Sequence, residues 1–442
     1  YGRLARRRSH SLHVAPCQST VPRVRPSLIF LSALFAACSA AAPAATATPE
    51  PLLPTATTSP TTLPALATPP AEGLQGRVSI WLSWGPEGVR SLNELIRSFQ
   101  GRHPEVVFAV GYVPPDELRT TLEQAYSVGE LPSLFLAPSM WGPELMDAGM
   151  ILDLSNQRVD QLKPIVHNLA WSQVEYRDKV LGLPIRMHGN VLYRNRELAS
   201  VPAATVEALV EAARPFRGTP AVGINLDYGY STIVPFALAC GSPLVQEGAA
   251  PDLQGEVGPC WLGLLQELSG AGSVSFSSEL DREAFQVGQA GWLVESTEIY
   301  ASFANTLGEG KVAVDPWPLY EETGQQLAGY VWTENLYFRV RPEPTDLEAA
   351  WAFAAFLLSA DAQLALSNPA GAGNLPVYAG AFPLVGALGQ MRQALLGGIS
   401  RPLDPPEPKY VEILERAARA VSVQGTAVDV ALRKAIEELA DV

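Results

Sequence analysis

RVSIWLSWGPEGVRSLNELIRSFQGRHPEVVFAV, residues 77–110, is the stretch that decides the fold. Residues 77–81 read as a strand, and the loop SWGPEG follows at 83–88. Val89, Leu92, Leu95, Ile96 and Phe99 then recur at helical spacing, which puts them on one apolar stripe. Gly101 with Pro104 stops that helix, and residues 106–110 form a second predicted strand. The pattern repeats once: a predicted helix over 117–128, then a strand over 134–137 followed by Ser139, Met140 and Trp141. Strands alternating with helices of about ten residues predict an α/β lobe with a mainly parallel sheet. Ligands of such sheets sit at the carboxyl ends of the strands. Here those ends carry Trp84, Glu87, Ser139 and Trp141.

Outward from this unit the alternation continues less regularly. A strand is expected over 183–194, a helix over 206–213, and a strand over 221–226 leading into Asp227-Tyr228-Gly229-Tyr230. Trp332 and Glu334 lie in GYVWTE, just before a strand expected over 336–340. Thr345 or Asp346 can cap an alanine-rich helix that runs to Leu358. The C-terminus reads as two helices, 410–420 and 426–439, with Thr426 and Asp429 at capping-box spacing for the second. Neighbours of Trp81 and Trp351 show strand and helix burial patterns, so both indoles are expected in the core. No repeat of fixed period occurs.

The first seventy residues have a different character. Six arginines and no acidic residue precede a ten-residue apolar run, residues 28–37, and Cys38. A membrane-spanning helix needs about 20 such residues, so a cleaved signal segment is the better reading. This start resembles a bacterial lipoprotein signal, with Cys38 as the residue that takes the lipid and Phe35 in place of the usual leucine. Residues 1–38 are then the signal peptide, and 39–75 a tether. Eight prolines and eight threonines fall between Ser39 and Pro70, a composition too poor in apolar mass to offset its ordering entropy. Such a tether of ~32 residues reaches roughly 30 Å as a coil and about 100 Å as extended polyproline.

About 370 residues remain beyond it, which suggests two domains or lobes. Without the six arginines of the first 38 residues, 25 basic residues face 45 acidic ones. That balance argues against nucleic-acid binding, which needs a basic surface, and mildly favours a neutral or cationic ligand. Cys240 and Cys260 are either a disulfide, as an oxidising compartment permits, or two separate buried thiols. Only His103, His167 and His188 occur after residue 38, scattered along the chain, so neither a histidine metal site nor a catalytic triad is indicated. No nucleophile-elbow, zinc-protease, C-x-x-C or phosphate-loop pattern is present. No cofactor or metal is expected, and the absence of these patterns does not by itself exclude catalysis.

Several segments, taken in order, carry a resemblance to the solute-binding lipoproteins of ABC importers, in the extracellular family that includes maltose-binding proteins. They are residues 78–104; Gly129-Glu130-Leu131-Pro132, with Ser133 where the family usually has Asp; Gly182-Leu183-Pro184 with Leu192-Tyr193-Arg194-Asn195; residues 284–290; residues 348–357 with Ala362-Gln363 and Gly373-Asn374-Leu375-Pro376; and Gly425-Thr426 with Ala431-Leu432. The resemblance covers nearly all of residues 76–440. It implies a two-lobed periplasmic-binding-protein fold of type II, the lobes joined by crossing hinge segments. By analogy one lobe takes 76–186 and 318–375, and the other 187–317 and 376–442. It also implies a binding protein and not an enzyme, with a ligand between the lobes, hinge closure, ABC permease subunits as partners, a lipid anchor outside the cytoplasm, and a monomer.

A sugar pocket needs flat aromatics for the C–H faces of the ring and polar side chains for its hydroxyls. At positions matching the family's ligand loops the first lobe offers Trp84, Glu87, Ser139, Trp141, Trp332 and Glu334. The second offers His188, Tyr228, Tyr230, Glu295 and Glu298, with Tyr410 as a lesser candidate. Each has a structural alternative. Trp84 and Trp141 can seal the lobe's edge, Trp332 can be core, and His188 can be a crossover residue. Glu295 and Glu298 can be solvated charges. Tyr228 and Tyr230 flank Gly229, so one of them faces core or solvent. Two ligand classes besides a carbohydrate stay open: a polyamine or other cation caged by acidic and aromatic groups, and the substrate of an exported carbohydrate-active enzyme with Glu295 and Glu298 as its acid pair.

Overall fold

Strand β1 (Gly76–Leu82) turns Val78, Ile80 and Leu82 inward and leaves the alternate side chains at least partly exposed, as the two-residue period of a strand requires. The helix Pro86–Gln100 then buries Leu92, Leu95, Ile96 and Phe99, and ends where the Gly101 amide caps the last turn on Arg97 and Phe99. Strand β2 (Val106–Tyr112) returns parallel to β1, in register from Gly76 opposite Val106 to Leu82 opposite Tyr112. Strand β3 (Leu134–Pro138) lies parallel on the other side of β1. This is the α/β unit the sequence predicts. The computed structural model describes residues 73–216, 219–246, 249–275, 278–367, 374–381 and 383–442. The signal segment, Cys38 and the tether up to residue 72 lie outside the described residues, as does Gly373.

After a small hairpin, β4 (Glu175–Tyr176) with β5 (Lys179–Val180), the chain enters β6 (Leu183–Asn195), a strand of 13 residues. The next three strands are β7 (Val222–Asp227), β8 (Gly272–Ser275) and β9 (Ala290–Ser296). β7 pairs in parallel with both of the others. β10 (Val312–Asp315) follows, then the hairpin of β11 (Leu319–Tyr320) and β12 (Gln325–Gln326). β13 (Tyr330–Phe338) runs back, and β14 (Leu375–Pro376) and β15 (Ile399–Ser400) add short edges. The resulting order is β2-β1-β3-β13-β6-β9-β7-β8, with β10 and β14 on β6 and β15 on β13.

The length of β6 makes it the crossing element. Residues 183–189 pair with β13, and Asn190–Arg194 pair with β9. One strand therefore belongs to two sheet halves. The outer strands of each half are parallel, as expected, but the centre is antiparallel, because β13 comes back from the second half against both β3 and β6. β13 also begins at Tyr330, six residues before the predicted strand, so Trp332 and Glu334 lie inside it. Its polar run hid it. Thr333 and Asn335 are fully buried and satisfy each other at 2.6 Å, while Asn335 donates to the Gln173 carbonyl.

Two predicted caps are corrected. The helix Pro344–Leu357 starts with Pro344 in its first turn and Glu343 at the cap, while the Asp346 carboxylate accepts the amide of Arg77 at 2.7 Å. The last helix is Val428–Ala440 with Ala427 at the cap, so Thr426 does not cap it. Trp351 is buried, whereas Trp81 is half-buried against a second, smaller core cluster around Phe135 and Tyr337. A disulfide joins Cys240 to Cys260, their Cα atoms 5.9 Å apart. It ties the turn Val234–Cys240 to the helix Val257–Ser269, against which the C-terminal helices Pro408–Ser422 and Val428–Ala440 pack. No single described helix is long and apolar enough to cross a membrane.

Candidate functional site

The two crossing strands build the site. β6 and β13 are antiparallel neighbours, so Arg186 lies opposite Glu334 and His188 opposite Trp332. The two-residue period puts all four on one face of the crossing. Glu334 Oε2 accepts from the indole Nε1 of Trp84 at 2.6 Å and forms an ion pair with Arg186, whose Nε lies 2.7 Å away. The Arg186 guanidinium stands 5.2 Å from the Trp84 ring centre, and its Nη1 donates to Asn374 Oδ1 at 3.2 Å. One carboxylate thus fixes an aromatic from the end of β1 and a cation from β6.

Beside it, the His188 and Trp332 rings are 6.4 Å apart and Arg401 covers Trp332 at 5.8 Å. Arg401 follows β15, whose pairing with β13 carries it there. His188 Nε2 lies 3.9 Å from Glu298 Oε1. Burial, then the nearby Arg186 charge, hold the His188 imidazole well below its ordinary pKa, so this contact is not an ion pair. Glu298 sits in the recess with its carboxyl raised, because lost hydration outweighs the attraction of Arg186. Among the described residues Arg186 Nε, His188 Nε2 and Asn374 Nδ2 are buried here without a hydrogen-bond partner; the Glu334 ion pair compensates Arg186, which leaves the histidine and the asparagine atoms. Their residues are 8% and 4% exposed. Unpaired buried polar atoms are costly, so both are poised for a group that is not protein.

A cavity of about 590 Å³ opens on these groups, lined by Arg186, His188, Glu298, Tyr300, Asn305 and Asn374 among others. A second, of about 570 Å³, is lined by Tyr230, Tyr330, Arg401, Lys409 and Tyr410. The Tyr230 and Tyr330 phenols both face this cavity, and burial raises the pKa of each. The pair Trp332–Arg401 sits between His188 and this tyrosine cluster.

Of the residues chosen from sequence, Trp84, Glu334, Trp332, His188 and Glu298 come together, and Tyr230 and Tyr410 line the second cavity. The others do not join them. Tyr228 is fully buried and donates to the Leu265 carbonyl at 2.9 Å, so of the tyrosines flanking Gly229 it is the core one. Ser139 is fully buried, donates to Gln173 Oε1 at 2.9 Å and receives the Thr333 amide. Glu87 lies in the exposed first turn of its helix, paired with Arg90. Trp141 is half-buried on the smaller core cluster, with Arg119 over its ring at 5.3 Å. Glu295 is buried, engaged by Arg282 and by the Ser296 amide. Arg186, Asn374, Tyr330 and Arg401 were missed. Only the arginines, in GLPIRMHGN and GGISRP beside apolar strand residues, offered a signal. Among the described residues no group of three His, Cys, Asp or Glu side chains is placed to hold a metal.

Two sheet halves sharing crossing strands, with cavities at the crossing, define a two-lobed α/β binding protein. The profile of bacterial extracellular solute-binding proteins matches residues 94–387, and the chain belongs to that family. Solved structures with a similar fold include the GacH receptor of Streptomyces glaucescens, determined unliganded and with acarbose. It is 18% identical, with 84% of this chain and 100% of that one covered, at a TM-score of 0.62. The cyclic α-maltosyl-1,6-maltose binding protein from Arthrobacter globiformis is 17% identical, with coverages of 83% and 98% and a TM-score of 0.67. The Thermus thermophilus maltotriose binding protein, bound to maltotriose, is 16% identical, with coverages of 82% and 98% and a TM-score of 0.60. At these identities the likeness is one of fold.

Proposed function

We propose that this protein is an extracytoplasmic receptor that captures a carbohydrate at the strand crossing and delivers it to an ABC importer. The observation that carries this reading is the pair of unpartnered buried polar atoms, His188 Nε2 and Asn374 Nδ2, beside aromatic side chains already held in place. Sugar hydroxyls supply the missing partners and the rings cover the C–H faces. The maltose-type sugars named for the similar structures support the same ligand class. The proposed binding set is Trp84, Arg186, His188, Tyr230, Glu298, Tyr330, Trp332, Glu334, Asn374, Arg401 and Tyr410. One lobe takes 76–186 and 329–375, the other 187–328 and 376–442; this moves 318–328 from the first lobe of the sequence reading to the second, since Leu319 bonds Ala204 and Thr323 bonds Ala239.

The alternatives lose support at particular residues. A polyamine would meet Glu298, Glu309, Asp404 and Glu407 in the cavities but also Arg186, Arg401 and Lys409, and the two cations nearest Trp332 and Trp84 are arginines. A hydrolase would need two available carboxylates, and Glu295 is taken by Arg282. The reading is therefore of capture without chemical change, by a monomer without cofactor. It includes a lipid on Cys38, with residues 39–75 as spacer. A Cys38→Ser variant should shed into the medium, and its retention on cells would remove the anchor from the reading. Calorimetry and thermal shift over neutral and acidic mono- and oligosaccharides test the core claim. A ligand at 100 times its Kd adds about 2.7 kcal/mol; silence across the whole panel would refute carbohydrate capture.

A further inference from the structure

We infer that the captured saccharide is acidic, with a ring carboxylate or equivalent oxyanion docking on Arg401 in the tyrosine-lined cavity. This rests on the carbohydrate reading above and narrows it. Arg401 enters the cavity from a fixed base. Its amide donates to Val331 at 2.8 Å, and its carbonyl accepts Gln173 Nε2 at 2.7 Å. Its guanidinium covers Trp332 and faces the phenols of Tyr230 and Tyr330, which are hydroxyl groups and not counter-charges.

Among the described residues no carboxylate pairs with Arg401, although every other partly or wholly buried arginine at the crossing has an oxygen partner. Arg186 has Glu334 and Arg194 has Asp315. The acidic groups of the cavity rim do not serve it. Asp404 takes the Tyr176 hydroxyl at 2.6 Å and lies near Arg177, and Glu407 is solvent-exposed at a helix start. Desolvation accordingly works against the Arg401 charge. Arg401 is half-buried, and a partly desolvated guanidinium without a counter-ion carries a cost; a planar fork over an aromatic face matches a carboxylate in bidentate geometry. Lys409 adds a second positive charge to the same cavity. The chain's net charge of −14 repels anions at long range, so this local positive pair acts in recognition and not in steering.

The test is calorimetry of the full chain against a panel of neutral trisaccharides and uronic-acid trisaccharides, each uronide paired with its carboxyl-reduced form. The tightest ligand should be a uronide that binds at least about tenfold more tightly than its reduced twin. Arg401→Gln should remove that margin by weakening the uronide far more than its reduced twin, while Arg401→Lys keeps part of it. Arg401→Gln should fold with a thermal midpoint no lower than the parent, since it removes an uncompensated charge. A neutral sugar as the tightest ligand, or native and reduced uronides within about twofold of each other, overturns the inference and leaves the receptor reading intact. A clear fall in the midpoint of Arg401→Gln also overturns it, because the guanidinium would then have a structural partner. No binding by any saccharide overturns the receptor reading, and the inference with it.

Discussion

Glu334 carries two obligations at once, to the Trp84 indole and to Arg186. Replacing it with glutamine keeps the volume and an acceptor but leaves Arg186 without its counter-charge. Breaking one side of a buried pair costs about 3 kcal/mol, so Glu334→Gln should lower the unfolding free energy by that amount, read as a fall in the urea midpoint at unchanged m. An effect below about 1 kcal/mol would place the pair among ordinary surface ion pairs. His188 makes a prediction of a different kind. Its folded pKa is depressed below 6.5, first by burial and then by Arg186. As pH falls from 7 toward 5.5, the unfolded chain takes up a proton that the folded chain refuses, so stability falls with acidification. His103 and His167 are depressed as well and act in the same direction. The His188→Gln variant should therefore lose about 1 kcal/mol less than the parent over that interval. Parallel stability–pH curves for the two proteins would mean that His188 titrates normally.

At the scale of elements, two glycines show how the crossing differs from an ordinary helix. A Cβ at Gly189 on β6 would meet the Tyr330 carbonyl at 2.5 Å and a Leu395 methyl at 2.6 Å. Gly189→Ala should thus cost about 1–3 kcal/mol through overpacking. Gly263, inside the helix Val257–Ser269, has open space around the same position. There alanine should stabilise by about 0.5–1 kcal/mol. Denaturant melts of the two variants should move in opposite directions; equal shifts would contradict the close approach at the crossing. The same contrast explains what could be read from sequence. β1, the helix after it and β2 were legible because Val78, Ile80 and Leu82 keep a strand period and Leu92, Leu95, Ile96 and Phe99 a helical one. β13 was not, because Thr333 and Asn335 meet each other, Ser139 and Gln173, and Glu334 meets Trp84 and Arg186, only after β1, β3, β6 and the Gln173 segment have assembled. For the same reason Trp84, His188, Trp332 and Glu334 could be chosen by chemical type, while nothing local marked Asn374, and the place of Arg186 and Arg401 depends on distant partners. Arg186 meets Glu334 and Asn374, and the Arg401 carbonyl meets Gln173, all far apart in the chain. Nothing local told Tyr228 from Tyr230, since which phenol enters the core depends on the helix that receives it.

For the whole molecule, the crossing is narrow relative to what it joins. β6 and β13, with the short partners β14 and β15, are the sheet connection between the halves, and both cavities border on them. A site in which residues from both halves face open space gains contacts when the halves approach, and only differential contact can drive such a change. Glu298 follows β9 in one half and Asn374 precedes β14 against the other, yet both line one cavity. A ligand bridging them should bring the halves together about the crossing strands, as hinge motions do. Small-angle scattering of residues 73–442 should then show the radius of gyration, roughly 21 Å for about 370 residues, fall by about 1 Å at saturating ligand. The fall should track the calorimetric isotherm. It should be reduced in Asn374→Ala, which removes a contact from one half while leaving the Glu334–Trp84 pair intact. If calorimetry reads full occupancy while the scattering curve stays unchanged, the halves are rigid about the crossing, and the cavities must bind their ligand in the arrangement described here.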